Sequence, residues 1–388
     1  MRVCRPRGLL LLFALLAVVS ARLAIAQAIS GISLPTPVRV GNPGWWPTKG
    51  EAAREEYVGA TECAGCHGST AASYRNTAMA HAAAHVGDSE SLRQHAQLTF
   101  QDGPFHYLLE TSGDKSGLRV NSEAGAVSAD LLWAFGAGRM GQTYLYQQKE
   151  DWFESRVSFF SEVQGLDITP GHVRSIPGSL SGALGLKQDP PTEIRRCFGC
   201  HTTASATDNH FDPADAVPGV NCEACHGPGA LHARAMKAGE ASAKQLIFNP
   251  AHLDPVEQVD FCGACHRTWQ DVVGTGLTGV GMLNVRFAPY RLENSKCWRQ
   301  QDGRLSCVAC HNPHKPLVRD ANTYDAVCEQ CHVARGMKKT AARAAPACPV
   351  ATKNCVSCHM QKYTPPNLHS SFTDHWIRIV RSGKPYPD

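Results

Sequence analysis

The stretch Cys222-Glu-Ala-Cys225-His226-Gly-Pro-Gly-Ala-Leu-His232 decides how the chain is read. Two thiols three positions apart share one face of a helical turn, and an imidazole follows at once. The same Cys-x-x-Cys-His pattern recurs at Cys63, Cys66 and His67, at Cys197, Cys200 and His201, and at Cys262, Cys265 and His266. It appears again at Cys307, Cys310 and His311, at Cys328, Cys331 and His332, and at Cys355, Cys358 and His359. These copies use all but three of the 17 cysteines. At this composition chance would supply about 0.04 copies, so the pattern reads as c-type haem attachment.

The chemistry explains the spacing. Each pair of thiols bonds the two vinyl-derived carbons of one porphyrin, and the next residue becomes the proximal ligand of its iron. Zinc also uses Cys-x-x-Cys pairs but does not require His after each one, a thioredoxin-like centre uses a single motif, and a disulfide across two residues is strained. The expected cofactor is therefore seven covalently bound haem c groups, each with iron.

Outward from the motifs, the composition is globular: 43% hydrophobic and 19% charged residues exclude a disordered, collagen-like or multi-span membrane chain. Arg2, Arg5 and Arg7 precede an apolar run from Leu9 to Val19, and Ala24-Ile25-Ala26 offers a small-x-small cleavage site. This is expected to be a signal peptide over 1–26, leaving no membrane span and a periplasmic or secreted protein. The formal net charge of +4 arises from Arg2, Arg5, Arg7 and Arg22 of that leader. No sustained basic run remains, so nucleic acid is not an expected partner.

The motifs divide the chain unevenly. A Pro-rich segment over 27–56 leads into a first haem segment at 57–90, where Thr70–Val86 reads as a helix placing His81 and His85 on one face. Residues 91–175 lack Cys, and short runs at Leu98–Phe100, Phe105–Leu109, Leu118–Val120, Thr143–Gln147 and Trp152–Phe160 alternate with turn signals. Residues 176–388 form a six-haem cytochrome c domain. The expected fold is mainly α, with little regular structure around a closely packed multihaem core, and with a small β-rich insertion between the first and second haem motifs.

Sixth ligands must come from the remaining histidines. Turn context favours His232, His252 and His314, each beside Gly or Pro, and His375 follows the last motif. His81, His172 and His210 complete the expected set, with Met79 a rival to His81. His314 is too near His311 to reach the opposite face of the same iron. Cys297 and Cys348 are left over, and an oxidising compartment favours a disulfide between them, closing a loop of about 50 residues and contributing about 3–4.5 kcal/mol.

Three sets of residues carry a family resemblance: the Cys222 to His232 stretch, Cys307-x-x-Cys310-His311-x-Pro-His314, and Cys355-x-x-Cys358-His359-Met360 followed by Asp374-His375. They resemble the multihaem cytochromes c that include pentahaem nitrite reductase, octahaem hydroxylamine oxidoreductase and their tetrahaem electron-transfer relatives. The likeness covers chiefly 190–380, and Trp133 to Tyr144 with Pro170-Gly-His172 is similar to an insertion in uncharacterised members. The resemblance implies stacked and angled haem pairs, mostly with two His ligands, in an exported α-rich protein. No Cys-x-x-Cys-Lys motif occurs, and Gln361 follows Met360 where the nitrite reductases usually have Pro.

Three functions follow as expectations. The first is an exported heptahaem c-type cytochrome carrying electrons along closely spaced, mostly bis-His haems. The second is a reductase or oxidase of small nitrogen or sulfur compounds with one five-coordinate haem, its distal groups drawn from Arg195, Arg196, Tyr144, Tyr290, Arg291 and His172. The third is an electron-transfer subunit of a larger respiratory assembly, with Trp45-Trp46 in Leu34–Pro47 and the Pro-Tyr-Pro end as its contact segments. Expected partners are redox proteins, a quinol-linked membrane donor among them.

Overall fold

The structure is a computed structural model and describes residues 52–189, 193–207, 210–274, 276–295, 297–298, 305–332 and 348–379. The leader at 1–26, the Trp45-Trp46 segment and the Pro-Tyr-Pro end lie outside the described residues.

Alternating apolar and polar residues dictate the largest element. Strands β1 (Ala83–His85), β2 (Gln97–Asp102), β3 (Phe105–Ser112), β4 (Lys115–Ser122), β5 (Gly125–Phe135), β6 (Gly141–Gln148), β7 (Asp151–Ser155), β8 (Val157–Phe160), β9 (Gly165–Ile168) and β10 (Gly185–Gln188) form one ten-stranded sheet. Its main path runs β10-β7-β6-β5-β4-β3-β2, with each described pairing antiparallel. This overturns the expected mainly α class: the β region is a large sheet, not a small insertion. The longest strand, β5, begins with Gly125, Ala126, Ser128 and Asp130, residues of low β-propensity, so pairing on both sides and not local preference makes it a strand.

One face of the sheet carries the main core, and the other is buried only around Trp133, Phe135 and Leu145. On the first, Leu98, Tyr107, Leu109, Leu118, Val120, Tyr144, Tyr146 and Phe159 form that core. A register shift between Leu131 and Trp133 in β5 reverses the side-chain parity, so Leu131 joins that core while Trp133 and Phe135 point to the opposite face. The Trp152–Phe160 run breaks in two because buried Arg156 turns aside to pair with Asp102 at 2.8 Å and to donate to the carbonyls of Val173 and Ser175.

The segment expected as a helix over Thr70–Val86 is helical only over Gly68–Tyr74. Ala83, Ala84 and His85 instead pair with Phe135, Ala134 and Trp133 as β1, since the open edge of β5 offers hydrogen bonds that a frayed helix end does not. His81 and His85 therefore share no helix face.

Beyond the sheet, each attachment motif sits on or beside its own helix. These are α1 (Gly59–Cys66), α2 (Arg195–His201), α3 (Cys222–His226), α4 (Pro255–His266), α5 (Cys307–Cys310), α6 (Asp325–Glu329) and α7 (Cys355–His359). The longest, α4, starts in a capping box between Asp254 and Glu257 with Pro255 at its first position. No described helix is long and apolar enough to cross a membrane.

Sheet and haem region meet at Phe198 of α2, which is fully buried. Its ring lies 5.0 Å from Trp133, 5.2 Å from Phe135, 6.0 Å from Trp152 and 5.8 Å from Phe211, edge-on to each. Phe198→Ala is expected to destabilise the protein by about 3–5 kcal/mol. A denaturant titration followed by far-UV circular dichroism checks this, and an unchanged midpoint would refute the joint.

Candidate haem sites

The seven motifs are brought together in an order that differs from the chain order. Helices α1 and α3 pack together, as do α4 and α5, and α6 and α7. In each pair the first cysteine of one motif neighbours the first cysteine of the other: Cys63 and Cys222, Cys262 and Cys307, and Cys328 and Cys355. Further neighbours join the pairs. Cys225 lies close enough to Cys262, and Cys310 to Cys328, for each to act electrostatically on the other. The motif of α2 meets α4, its Cys200 Sγ reaching the Ala264 carbonyl at 3.8 Å. The spatial sequence is first, third, fourth, fifth, sixth, seventh, with the second branching from the fourth.

Buried carboxylates hold two of these pairs. Glu223, inside the third motif and 3% exposed, accepts from the backbone N–H groups of Val58 at 2.9 Å, Gly59 at 2.8 Å and Gly229 at 2.8 Å. It thereby caps α1 from α3. Asp325, at the start of α6, accepts from Asn354 N at 2.5 Å and Cys355 N at 2.8 Å, the entry of α7. Burial alone would raise the Asp325 carboxyl, but the Cys355 and Asn354 donors outweigh it and hold it below its ordinary 3.8. Gly219 closes the approach to the third motif: its φ is +76°, and a Cβ there would run into the Ala80 carbonyl.

The histidine geometry tests whether these residues suit haem. His201 Nδ1 bonds the Ala82 carbonyl at 2.9 Å, His226 Nδ1 that of Phe248 at 2.9 Å, and His359 Nδ1 that of Arg378 at 2.8 Å. A backbone acceptor takes the Nδ1 proton in each case, which fixes the tautomer and leaves Nε2 with its lone pair for a metal. Arg267, next to His266, carries a buried Nη1 without a partner, suited to an anionic group such as a propionate. The residues fit haem c.

The expected sixth ligands fall into distinct settings. His314 faces His226 with ring centroids 6.0 Å apart and planes within 9°, and His375 faces His311 at 6.2 Å and 49°. His232 bonds the Ala243 carbonyl through Nδ1 at 2.8 Å, again leaving Nε2 available. His81 instead commits Nε2 to the Arg75 carbonyl at 2.7 Å, and His172 commits Nε2 to Glu154 at 2.9 Å. His210 and His252 are exposed, on a two-residue strand and a 3-10 turn. Arg291, a candidate distal group, is fully buried in a bond to Asp374 and faces no open site. Sequence reasoning missed Glu223 and Asp325; an acidic residue inside or three before a motif was the only local sign.

A partly open pocket of about 150 Å³ adjoins the second motif, lined by Cys197, His201, Phe135, Thr143, Leu145 and Glu154. Burial lowers the His201 pKa, against the opposing bond to Ala82.

Cys297 and Cys348 are both exposed and are not bonded to each other in this structure. Each has other neighbours: Cys297 lies beside Cys331 and Cys328, and Cys348 accepts from the backbone of Ala351 and Val350.

Comparison with known proteins places these features. The family described as cytochrome c554 and c-prime matches residues 180–227, which span the second and third motifs. Among solved structures, the crystal structure of outer cell wall cytochrome OcwA is similar, with 15% identity, 84% of this chain and 80% of that chain covered, and a TM-score of 0.40. No curated protein matches the chain. The family match, together with the motifs it spans, supports a multihaem c-type cytochrome in electron transfer.

Three outcomes are expected. Glu223→Ala strands three N–H donors, each worth about 1–3 kcal/mol when buried and unmet, and should lower the unfolding midpoint more than Glu223→Gln does. The Asp325 clamp is complete above the ordinary carboxyl pKa of 3.8 and fades as the pH falls through the lowered folded-state value, so Asp325→Asn should flatten the acid limb of a stability profile. Timed alkylation with mass spectrometry should label both spare thiols, Cys348 first, because its backbone donors lower its pKa while burial raises that of Cys297.

Proposed function

We propose that this chain is an exported heptahaem c-type cytochrome that carries electrons along a branched row of closely spaced haems. The observation that carries the reading is the packing of motif helix against motif helix in three pairs, with the first cysteines of each pair as neighbours. Helices packed in this way would bring the macrocycles they tether close to one another.

Bound haem supplies the one-electron couple of iron. The chain's own residues do the rest: the paired cysteines attach, the motif histidines ligate, and the packed helices set the order of sites. Two ligand pairs support closed, six-coordinate iron. Two imidazoles that shared one metal ion through bonds of about 2.0–2.1 Å would have ring centroids about 6 Å apart. His226 with His314, and His311 with His375, stand at that separation and would each hold one haem iron between them. An iron so held would supply one-electron transfer, with both imidazoles excluding substrate. Each haem adds two propionates, so the holoprotein is acidic, about −7 when oxidised if all are ionised. Its redox partners would then present basic faces. Export follows from the leader read over 1–26.

One observation favours a second reading, a reductase or oxidase of small nitrogen or sulfur compounds. The cavity at the second motif is walled by Thr143 and Glu154, and His201 is the one imidazole among its lining residues.

Intact mass should show seven haems, and low-temperature electron paramagnetic resonance with a redox titration should show several low-spin, one-electron centres. An absence of reversible reduction refutes the electron-carrier reading. A high-spin haem that binds carbon monoxide or nitrite and is lost in His201→Ala would establish the second reading at this cavity.

A further inference from the structure

The residues flanking His375 are held by a buried, bonded cluster. Asp374 is 0% exposed and Arg291, on the helix Ala288–Glu293, 1% exposed. Arg291 donates from Nε to Asp374 Oδ1 at 2.8 Å and from Nη2 to Oδ2 at 2.7 Å, with Nη1 on Asn284 Oδ1 at 3.1 Å. Asp374 also accepts from Arg378 Nη1 at 2.6 Å and Trp376 N at 2.9 Å. The Trp376 ring lies 4.9 Å from the Arg291 guanidinium and 5.3 Å from that of Arg378. On the other side of the backbone, Ser295 Oγ donates to the His375 carbonyl at 3.2 Å and accepts from Ile377 N at 2.8 Å.

Within that frame His375 has little freedom. Its Nδ1 bonds the Thr373 carbonyl at 3.0 Å, leaving Nε2 directed elsewhere, and its ring stands 6.2 Å from His311. A buried ion pair is a poor source of net stability, because desolvation offsets the attraction. Its two parallel N–H to oxygen bonds do, however, fix direction as well as distance.

We propose that Arg291 and Asp374 are positioning residues that hold His375 at the separation from His311 that a shared iron requires. The proposal rests on the pairing of His311 with His375 given above. It predicts that loosening the pair frees the axial ligand before it unfolds the chain.

The test uses the full-chain holoprotein and three variants, His375→Ala, Asp374→Asn and Arg291→Lys, read by low-temperature electron paramagnetic resonance with and without added imidazole. His375→Ala should convert one haem from low spin to high spin, and imidazole should reverse it. Asp374→Asn and Arg291→Lys should each give a fraction of the same high-spin signal, also reversed by imidazole. If His375→Ala produces that signal while both other variants remain wholly low-spin, even with a lowered unfolding midpoint, the pair is merely structural and the proposal fails. If His375→Ala changes no haem, the pairing itself is wrong. Arg291→Lys keeps the charge while losing the two-pronged fork, so it carries the test alone if Asp374→Asn does not accumulate with its haems.

Discussion

Everything in the haem region depends on one local constraint: two thiols three positions apart, with an imidazole next in sequence. Such a motif needs only one helical turn, which is why α3, α5 and α7 are five residues or fewer. Helices this short are not stable alone, since the cost of nucleation exceeds what one turn returns. They persist because each is anchored to something outside itself. The anchors are side chains that reach across the chain, Glu223 over 164 residues to Gly59 and Asp325 over 30 residues to Cys355.

Those two carboxylates solve a shared problem. A helix entry leaves N–H groups without partners, and packing two motif helices together removes the water that would satisfy them. An acceptor supplied by the partner helix meets the donors and sets the approach of the two motifs at once. The first cysteines become neighbours through that approach. At the fifth motif the device differs: the Arg291 and Asp374 pair secures the distal His375 in place of a helix entry.

The sheet plays another part. It has a core of its own and lends its second face to α2 through Phe198. The second motif accordingly lies off the row, beside the fourth, and is backed by strand residues. This asymmetry separates it from the three paired sets, and it is where a cavity adjoins the attachment residues.

What was legible in the sequence was local chemistry. Each Cys-x-x-Cys-His is complete within five residues, so the motifs needed no fold to be read. Alternation in β2, β3, β4 and β6 was likewise local, whereas β5 and β1 were not, since their pairing depends on neighbours distant in sequence. The expected mainly α class failed for that reason. Sixth ligands were named as a pool from which the structure brought His314 to His226 and His375 to His311, across 88 and 64 positions. The sequence by itself determined what each motif binds, because covalent spacing is a property of adjacent residues. The tertiary structure alone decided the order of the motifs, the clamps of Glu223, Asp325 and Asp374, and the unbonded state of Cys297 and Cys348, because distances between remote residues are set only by packing.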